Sequence, residues 1–293
     1  MDLPVVVGVD GSEPSLRAVD WAADEAALHG VPLRLVNASK WDRYEGEALV
    51  VGLGKASERV LAESIVGFAM EHAQRRHPDL RIVTETPVED PETALLNAGR
   101  NASILVTGSR GRGEITGLIL GSVSLAVAAR ADCPVVVLPG SYDTRATSGI
   151  CHSIVLGIAD GQEGEAAIRF AFREAAAREV ALLAVRAWRC PLAEGGLSPL
   201  SDSDVTGRHE AMAADRIEES LHDAVADHPS VEVHRQTGEG PARNVLLNAS
   251  VSADLLVVGA LRRAGHFGLQ LGPVAHTLLH HALCPVGVVP QRV

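Results

Sequence analysis

Residues 5–41 and 154–190 align without a gap at an offset of 149. VVVGVDGSEPSLRAVDWAADEAALHGVPLRLVNASKW meets IVLGIADGQEGEAAIRFAFREAAAREVALLAVRAWRC, and the apolar positions coincide: Val19 with Ile168, Trp21 with Phe170, Leu35 with Ala184, Ala38 with Ala187. A second block repeats at an offset of 151, SILVTGSRG (103–111) with DLLVVGALR (254–262), then ADCPVVVLP (131–139) with ALCPVGVVP (282–290). A period this long is the length of a whole domain rather than of a solenoid repeat. The chain of 293 residues is therefore expected to hold two tandem copies of one domain, 1–140 and 152–293. The small polar stretch GSYDTRATSGIC at 140–151 supplies a linker over 141–151.

Each copy alternates short β-branched runs with longer helical patterns. In the first, strands are expected near 4–9, 32–38, 80–86, 103–107 and 135–138, and helices near 13–29, 54–76, 91–101 and 121–131. The first helix is the best marked. Ser12 can cap it, Glu13 and Pro14 suit its first turn, Gly30 follows its end, and Val19, Ala22, Ala23 and Ala26 form one apolar face. Alternating strands and helices make an α/β fold with a parallel sheet covered on both faces. Strands such as VVVGV and SILVTG are apolar throughout, as double coverage requires.

The formal net charge is −11, only Lys40 and Lys55 are lysines, and no basic run exists. That argues against a nucleic-acid backbone as partner. The N-terminus has no signal-peptide pattern and no apolar run reaches the roughly 18 residues of a membrane span, so a soluble, cytoplasmic protein with no membrane partner is expected. Cys133 and Cys284 each precede Pro-Val at the start of an apolar run and read as small buried thiols.

Ligands of parallel α/β sheets bind beyond the carboxyl ends of the strands, where strand order reverses. After the first strand stands Asp10-Gly11-Ser12, and after the fourth Gly108-Ser-Arg110-Gly111-Arg112-Gly113, leading to Gly121-Ser122-Val123-Ser124. Glycines let backbone N–H groups approach an anion, and Gly121-Ser122 marks a helix start whose free N–H groups and dipole suit phosphate. Ser122 and Ser124 add hydroxyls, and Arg110 and Arg112 add charge. Taken alone, Asp10-Gly11 reads as a turn pair.

Gly108-x2-Gly111-x9-Gly121-Ser122, with Val-Gly-Val-Asp-Gly-Ser at the start and Ala-x-Cys-Pro-Val-Val-Val at the end, resembles the nucleotide motif of the universal stress protein family. The resemblance covers nearly the whole chain, as a tandem two-domain member. It implies two Rossmann-like domains of the adenine nucleotide alpha hydrolase type, each a five-stranded parallel sheet of order 3-2-1-4-5. It implies ATP, alone or with Mg2+, as the ligand. By the same resemblance Asp10 meets the nucleoside, the backbone of Ala38 the base, Thr107 the same wall, and Gly108 the ribose side. Gly111, Gly121, Ser122, Val123 and Ser124 match the phosphate cradle, with Arg110 beside them. It further implies pairing, as a homodimer or as an intrachain pseudo-dimer, through last strands such as Val135–Leu138 and Val286–Val289.

The second copy departs from this frame, which there reads Gly259-Ala-Leu-Arg262-x9-Gly272-Pro273. Arg262 adds a side chain where close backbone approach was needed, and Pro273 removes an N–H and a hydroxyl. Ala159 aligns with Asp10, leaving Asp160 one place late. A degenerate second site is expected.

Other signals carry less. His276 and His280 are four apart on a helix pattern with no third ligand evident, and read as helix surface. There is no Gly-x4-Gly-Lys phosphate loop and no Gly-x-Ser-x-Gly elbow. No clear catalytic base can be named, so the expected function is nucleotide binding in stress response or growth regulation, with at most slow hydrolysis. Two alternatives stand beside it: a nucleotide-independent dimeric interaction protein, and an ATP-using enzyme.

Overall fold

The structure is a computed structural model that describes residues 3–38, 51–109, 120–140, 142, 153–159, 164–190, 202–261 and 271–291. The described elements form two compact units.

The first unit runs β1 (Val5–Gly8), α1 (Glu13–His29), β2 (Leu33–Val36), α2 (Val51–Arg76), β3 (Ile82–Glu85), α3 (Pro91–Gly99), β4 (Ile104–Gly108), α4 (Ser122–Arg130) and β5 (Val135–Leu138). Its strands lie in the order β3-β2-β1-β4-β5, every pair parallel, with Val5 between Leu33 and Ile104. Right-handed crossovers then send α1 and α2 to one face and α3 and α4 to the other. The chain reverses direction across the sheet between β1 and β4, so whatever follows those two strands borders one crevice.

Local sequence sets these boundaries. Ser12 caps α1, its hydroxyl accepting the Ser15 N–H at 3.3 Å, and Pro14 in the first turn needs no N–H partner. Gly30 ends the helix in the left-handed region at φ 64. Ala18, Val19, Ala22, Ala23 and Ala26 are fully buried, along with Val5, Val6 and Val7 of the sheet. Burying each valine side chain supplies about 1.5–3 kcal/mol. The polar face of α1 holds α2: Asp20 pairs with His72 at 2.8 Å, and Asp24 takes Arg76 in two bonds and His77 at 2.7 Å. Helix α2 begins at Val51 rather than near 54, while β2, β3 and α3 are shorter than the expected 32–38, 80–86 and 91–101.

The second unit runs β6 (Ser153–Gly157), α5 (Glu165–Arg178), β7 (Ala181–Trp188), α6 (Asp202–Asp227), β8 (Val233–Glu239), α7 (Ala242–Ala249), a short 3-10 turn at Ser250–Ser252, β9 (Leu255–Leu261), α8 (Pro273–His281) and β10 (Val286–Gln291). Its order β8-β7-β6-β9-β10 is the same 3-2-1-4-5 arrangement, again parallel. Packing repeats in detail. A Cβ on Gly8 would lie 3.0 Å from Leu95, and one on Gly157 would lie 3.1 Å from Leu246, the matching pair.

Two differences bear on the site. Helix α5 begins at Glu165, three places later than α1 in the repeat frame, and Gly164 before it offers no side-chain cap. The β7–β8 ladder also runs on through Arg186↔Thr237, Ala187↔Gly238 and Trp188↔Glu239, whereas β2 and β3 part after Val36↔Glu85. Among the described residues no helix is long and apolar enough to cross a membrane.

Candidate functional site

In the first unit the chain leaves β1 through a tight polar turn. Asp10 Oδ1 accepts the Ser12 N–H at 2.9 Å and the Ser12 hydroxyl at 2.6 Å. The Ser15 hydroxyl donates to the Ser12 carbonyl at 2.8 Å and accepts the Asp10 N–H at 3.4 Å. Asp10 therefore shapes the entry to α1, as its Asp-Gly pairing suggested, while remaining half-buried at the crevice.

Strand β4 ends against this turn. A Cβ on Gly108 would lie 2.8 Å from the carbonyl oxygen of Pro14 and 3.0 Å from its carbon. Glycine is thus required by the close approach of the first turn of α1, whatever a ligand also needs. The Ser109 N–H donates to Leu138, and the Ser109 carbonyl accepts the N–H of Gly121. The two ends of the connection from β4 to α4 are pinned together by that bond. Arg110 and Gly111 fall within the connection and lie outside the described residues.

Helix α4 starts at Ser122, after Gly121 in extended conformation, with no side-chain cap. Its first N–H groups, those of Ser122, Val123 and Ser124, have no carbonyl partner within the helix. Ser122 is exposed; Ser124 is buried and donates its hydroxyl to the Gly108 carbonyl at 2.7 Å. The proton that the sequence assigns to a phosphate contact is thus committed to the backbone, while the Ser122 hydroxyl meets no partner among the described residues. Two further hydroxyls lie at the end of β4. Thr107 Oγ1 and Ser109 Oγ are buried and meet no hydrogen-bond partner among the described residues; a buried hydroxyl left unmet costs about 1–3 kcal/mol. Ala38, half-buried, follows Asn37, whose side-chain amide donates to the Val9 carbonyl at 2.6 Å and fixes the end of β2 against β1.

The second unit builds the same place differently. Gly272 caps α8 in the extended conformation of Gly121, but Pro273 and Ala275 stand where Ser122 and Ser124 do. Neither can supply a hydroxyl. A Cβ on Gly259 would meet the amide of Gln291, at 3.0 Å, instead of a helix backbone. Gln291 is itself buried. Asp160 and Arg262 lie outside the described residues.

A family model, that of the universal stress protein family, matches residues 3–139 and again 151–290. The chain belongs to the universal stress protein family. A universal stress protein of Mycolicibacterium smegmatis is 32% identical over 297 residues, covering 98% of this chain and 97% of its own. One of Mycobacterium tuberculosis is 33% identical over 309 residues, with the same coverage. The solved structure of a universal stress protein from Archaeoglobus fulgidus superposes with a TM-score of 0.68 at 17% identity, covering 98% of both chains.

In this universal stress protein the crevice of the first unit gathers Asp10, Thr107, Gly108, Gly121, Ser122, Val123 and Ser124 around the ends of β1 and β4, with Ala38 at the end of β2. Three features escaped the sequence: the Ser124–Gly108 bond, the hydroxyls of Thr107 and Ser109 that meet no partner among the described residues, and the seat of Gln291 over Gly259. Gln291 could have been flagged, because the offset of 151 sets it against Gly140.

Proposed function

We propose that the first unit binds ATP, alone or with Mg2+, and that occupancy of this site adjusts a cytoplasmic, self-pairing protein in stress response or growth regulation. The observation that carries the reading is the start of α4. An uncapped helix N-terminus, with Ser122 exposed at its first position, is pinned to the end of β4 by the Gly121–Ser109 and Ser124–Gly108 bonds. Such a terminus presents N–H donors and the positive end of a dipole to a phosphate. The buried hydroxyls of Thr107 and Ser109 have hydrogen-bonding capacity that no described residue uses. Asp10 and the Ala38 backbone border the same crevice on the nucleoside side.

The reading is one of binding rather than turnover. Phosphoryl transfer needs a placed base or water-orienting group and a metal-bridged phosphate. Among the described residues the carboxylate that follows β1, Asp10, already accepts two bonds from Ser12.

The test is calorimetric titration of the nucleotide-free protein with ATP, beside Ser122→Pro. That substitution copies the second unit, removes one N–H and one hydroxyl, and leaves a first helical position that proline tolerates. A loss of affinity of about tenfold or more is expected, from two lost donors to a charged group. Unchanged affinity would move the phosphates away from α4.

A further inference from the structure

Asn37 stands where β2 leaves both of its neighbours. Its N–H donates to the Glu85 carbonyl at the end of β3, at 3.0 Å, and its side-chain amide donates to the Val9 carbonyl just past β1, at 2.6 Å. The β1–β2 ladder closes at Gly8↔Val36, and beyond it the Val9 N–H donates to the Val36 carbonyl at 2.9 Å. Both backbone polar groups of Val9 are thus held from β2, one by backbone and one by the Asn37 side chain.

That side-chain bond lies out of water. Asn37 is 6% exposed and Val9 4%. Without the amide, the Val9 carbonyl would be buried and unmet, and the end of β1 would be drawn away from β2 toward solvent. Two residues depend on where this bond holds the chain. Asp10 is joined to the Val9 carbonyl through a single peptide bond, and Ala38 follows Asn37 directly. These are the two positions assigned above to the nucleoside, whereas the phosphates belong to the start of α4.

The second unit shows what the fold requires and what it does not. In the repeat frame Arg186 stands for Asn37, Ile158 for Val9 and Ala159 for Asp10. The backbone bond is kept, the Ile158 N–H donating to the Val185 carbonyl at 2.9 Å. The side-chain bond moves one residue along, Arg186 donating to the Ala159 carbonyl at 2.9 Å. The strand after it changes as well: the β7–β8 ladder continues through Arg186↔Thr237, whereas β2 and β3 part after Val36↔Glu85 and Ala38 is released. The same sheet therefore closes with either side chain, and the short amide at position 37 is not a demand of the topology.

We propose that Asn37 is a positioning residue for the nucleoside: its amide sets the end of β1 against the end of β2, and through Asp10 and the Ala38 backbone it sets a preference of the first unit for adenine. The proposal rests on the ATP reading of that crevice.

The test is calorimetric titration of the nucleotide-free full chain with ATP and with UTP. Three proteins are compared: the natural sequence, Asn37→Leu and Asn37→Ala. Leucine keeps the side-chain volume and alanine removes it, and neither can donate to the Val9 carbonyl. The two nucleotides share ribose and triphosphate, so the ratio of their affinities reads the base. The natural sequence should prefer ATP, and both variants should lose about fivefold or more of that preference, the size of one lost hydrogen bond. Urea denaturation shows whether each variant is folded. In a folded variant, an unchanged ratio, or equal falls in ATP and UTP affinity, overturns the proposal. Loss of folding in both variants also overturns it, by making the bond a structural need alone. A natural sequence that binds ATP and UTP alike overturns it while leaving a nucleotide site in place; one that binds neither contradicts the ATP reading itself, and the proposal falls with it.

Discussion

The hydroxyl of Ser124 donates to the carbonyl oxygen of Gly108 across 2.7 Å, tying the first turn of α4 to the last residue of β4. Ala275 and Gly259 occupy the matching places in the second unit, where no such bond can form. The pair separates the two units more sharply than overall topology does. Ser124→Ala should cost about 1–2 kcal/mol, the range for a buried bond whose acceptor is left unmet. It should also weaken ATP binding by loosening α4, although Ser124 spends its own proton on the protein. Urea denaturation reads the first effect and ATP titration the second.

The motif glycines should differ in tolerance. Gly108→Ala drives a methyl into the backbone carbonyl of Pro14, which cannot move without shifting α1, and a loss of about 1–3 kcal/mol is expected. Gly259→Ala meets the Gln291 side chain, 3.0 Å from its amide nitrogen and 3.3 Å from its Cγ, rather than backbone. Its cost should stay under about 1 kcal/mol. Denaturation midpoints of the two variants check the order.

Glu179 and Gly30 close α5 and α1 at equivalent places, both left-handed, at φ 55 and φ 64. The left-handed region costs a residue with a Cβ about 1–2 kcal/mol. Glycine gives back part of that through a freer unfolded chain. Glu179→Gly should therefore stabilise the protein by about 0.5–1 kcal/mol, and Gly30→Ala should destabilise it by a similar amount. Thermal melts of both variants test the claim.

His280 lies near the end of α8, its ring 4.6 Å from that of His276 and 6.2 Å from that of His281. Burial first, then the charges of His276 and His281, lower its pKa below the ordinary 6.5. The unfolded chain therefore takes up this proton before the folded chain does. Above pH 6.5 the group is neutral in both states and costs nothing. As pH falls from 6.5 to the lowered folded value stability is lost, and below that value the loss is complete. Melting temperature should fall less between about pH 7.5 and about pH 5 in His280→Gln than in the natural sequence.

Much of this fold is legible because burial on both faces forces apolar strands. VVVGV and SILVTG carry β1 and β4 with no polar side chain apart from Ser103 and Thr107. Helix α1 is legible to the residue because Ser12, Pro14 and Gly30 each leave a chemical mark. Where marks are missing, so is foresight: α5 starts late, with no capping side chain before it. The extension of β7 and β8 passes through Arg186, Gln236 and Thr237, polar residues that give no apolar signal. The site is legible in part. Glycine at 108 reads as an opening for a ligand, yet its structural need comes from Pro14, a contact between segments far apart in sequence. The same holds for Gln291 over Gly259.

The two units differ at the start of the fourth helix, where Ser122 and Ser124 face Pro273 and Ala275. Freshly purified protein, desalted and then denatured, should release about one adenine nucleotide per chain, and Ser122→Pro should release almost none. Two nucleotides per chain would show that Pro273 and Ala275 still permit the same site, and would contradict the account. So would none from the natural sequence even after saturation with ATP, which would favour a nucleotide-independent interaction protein.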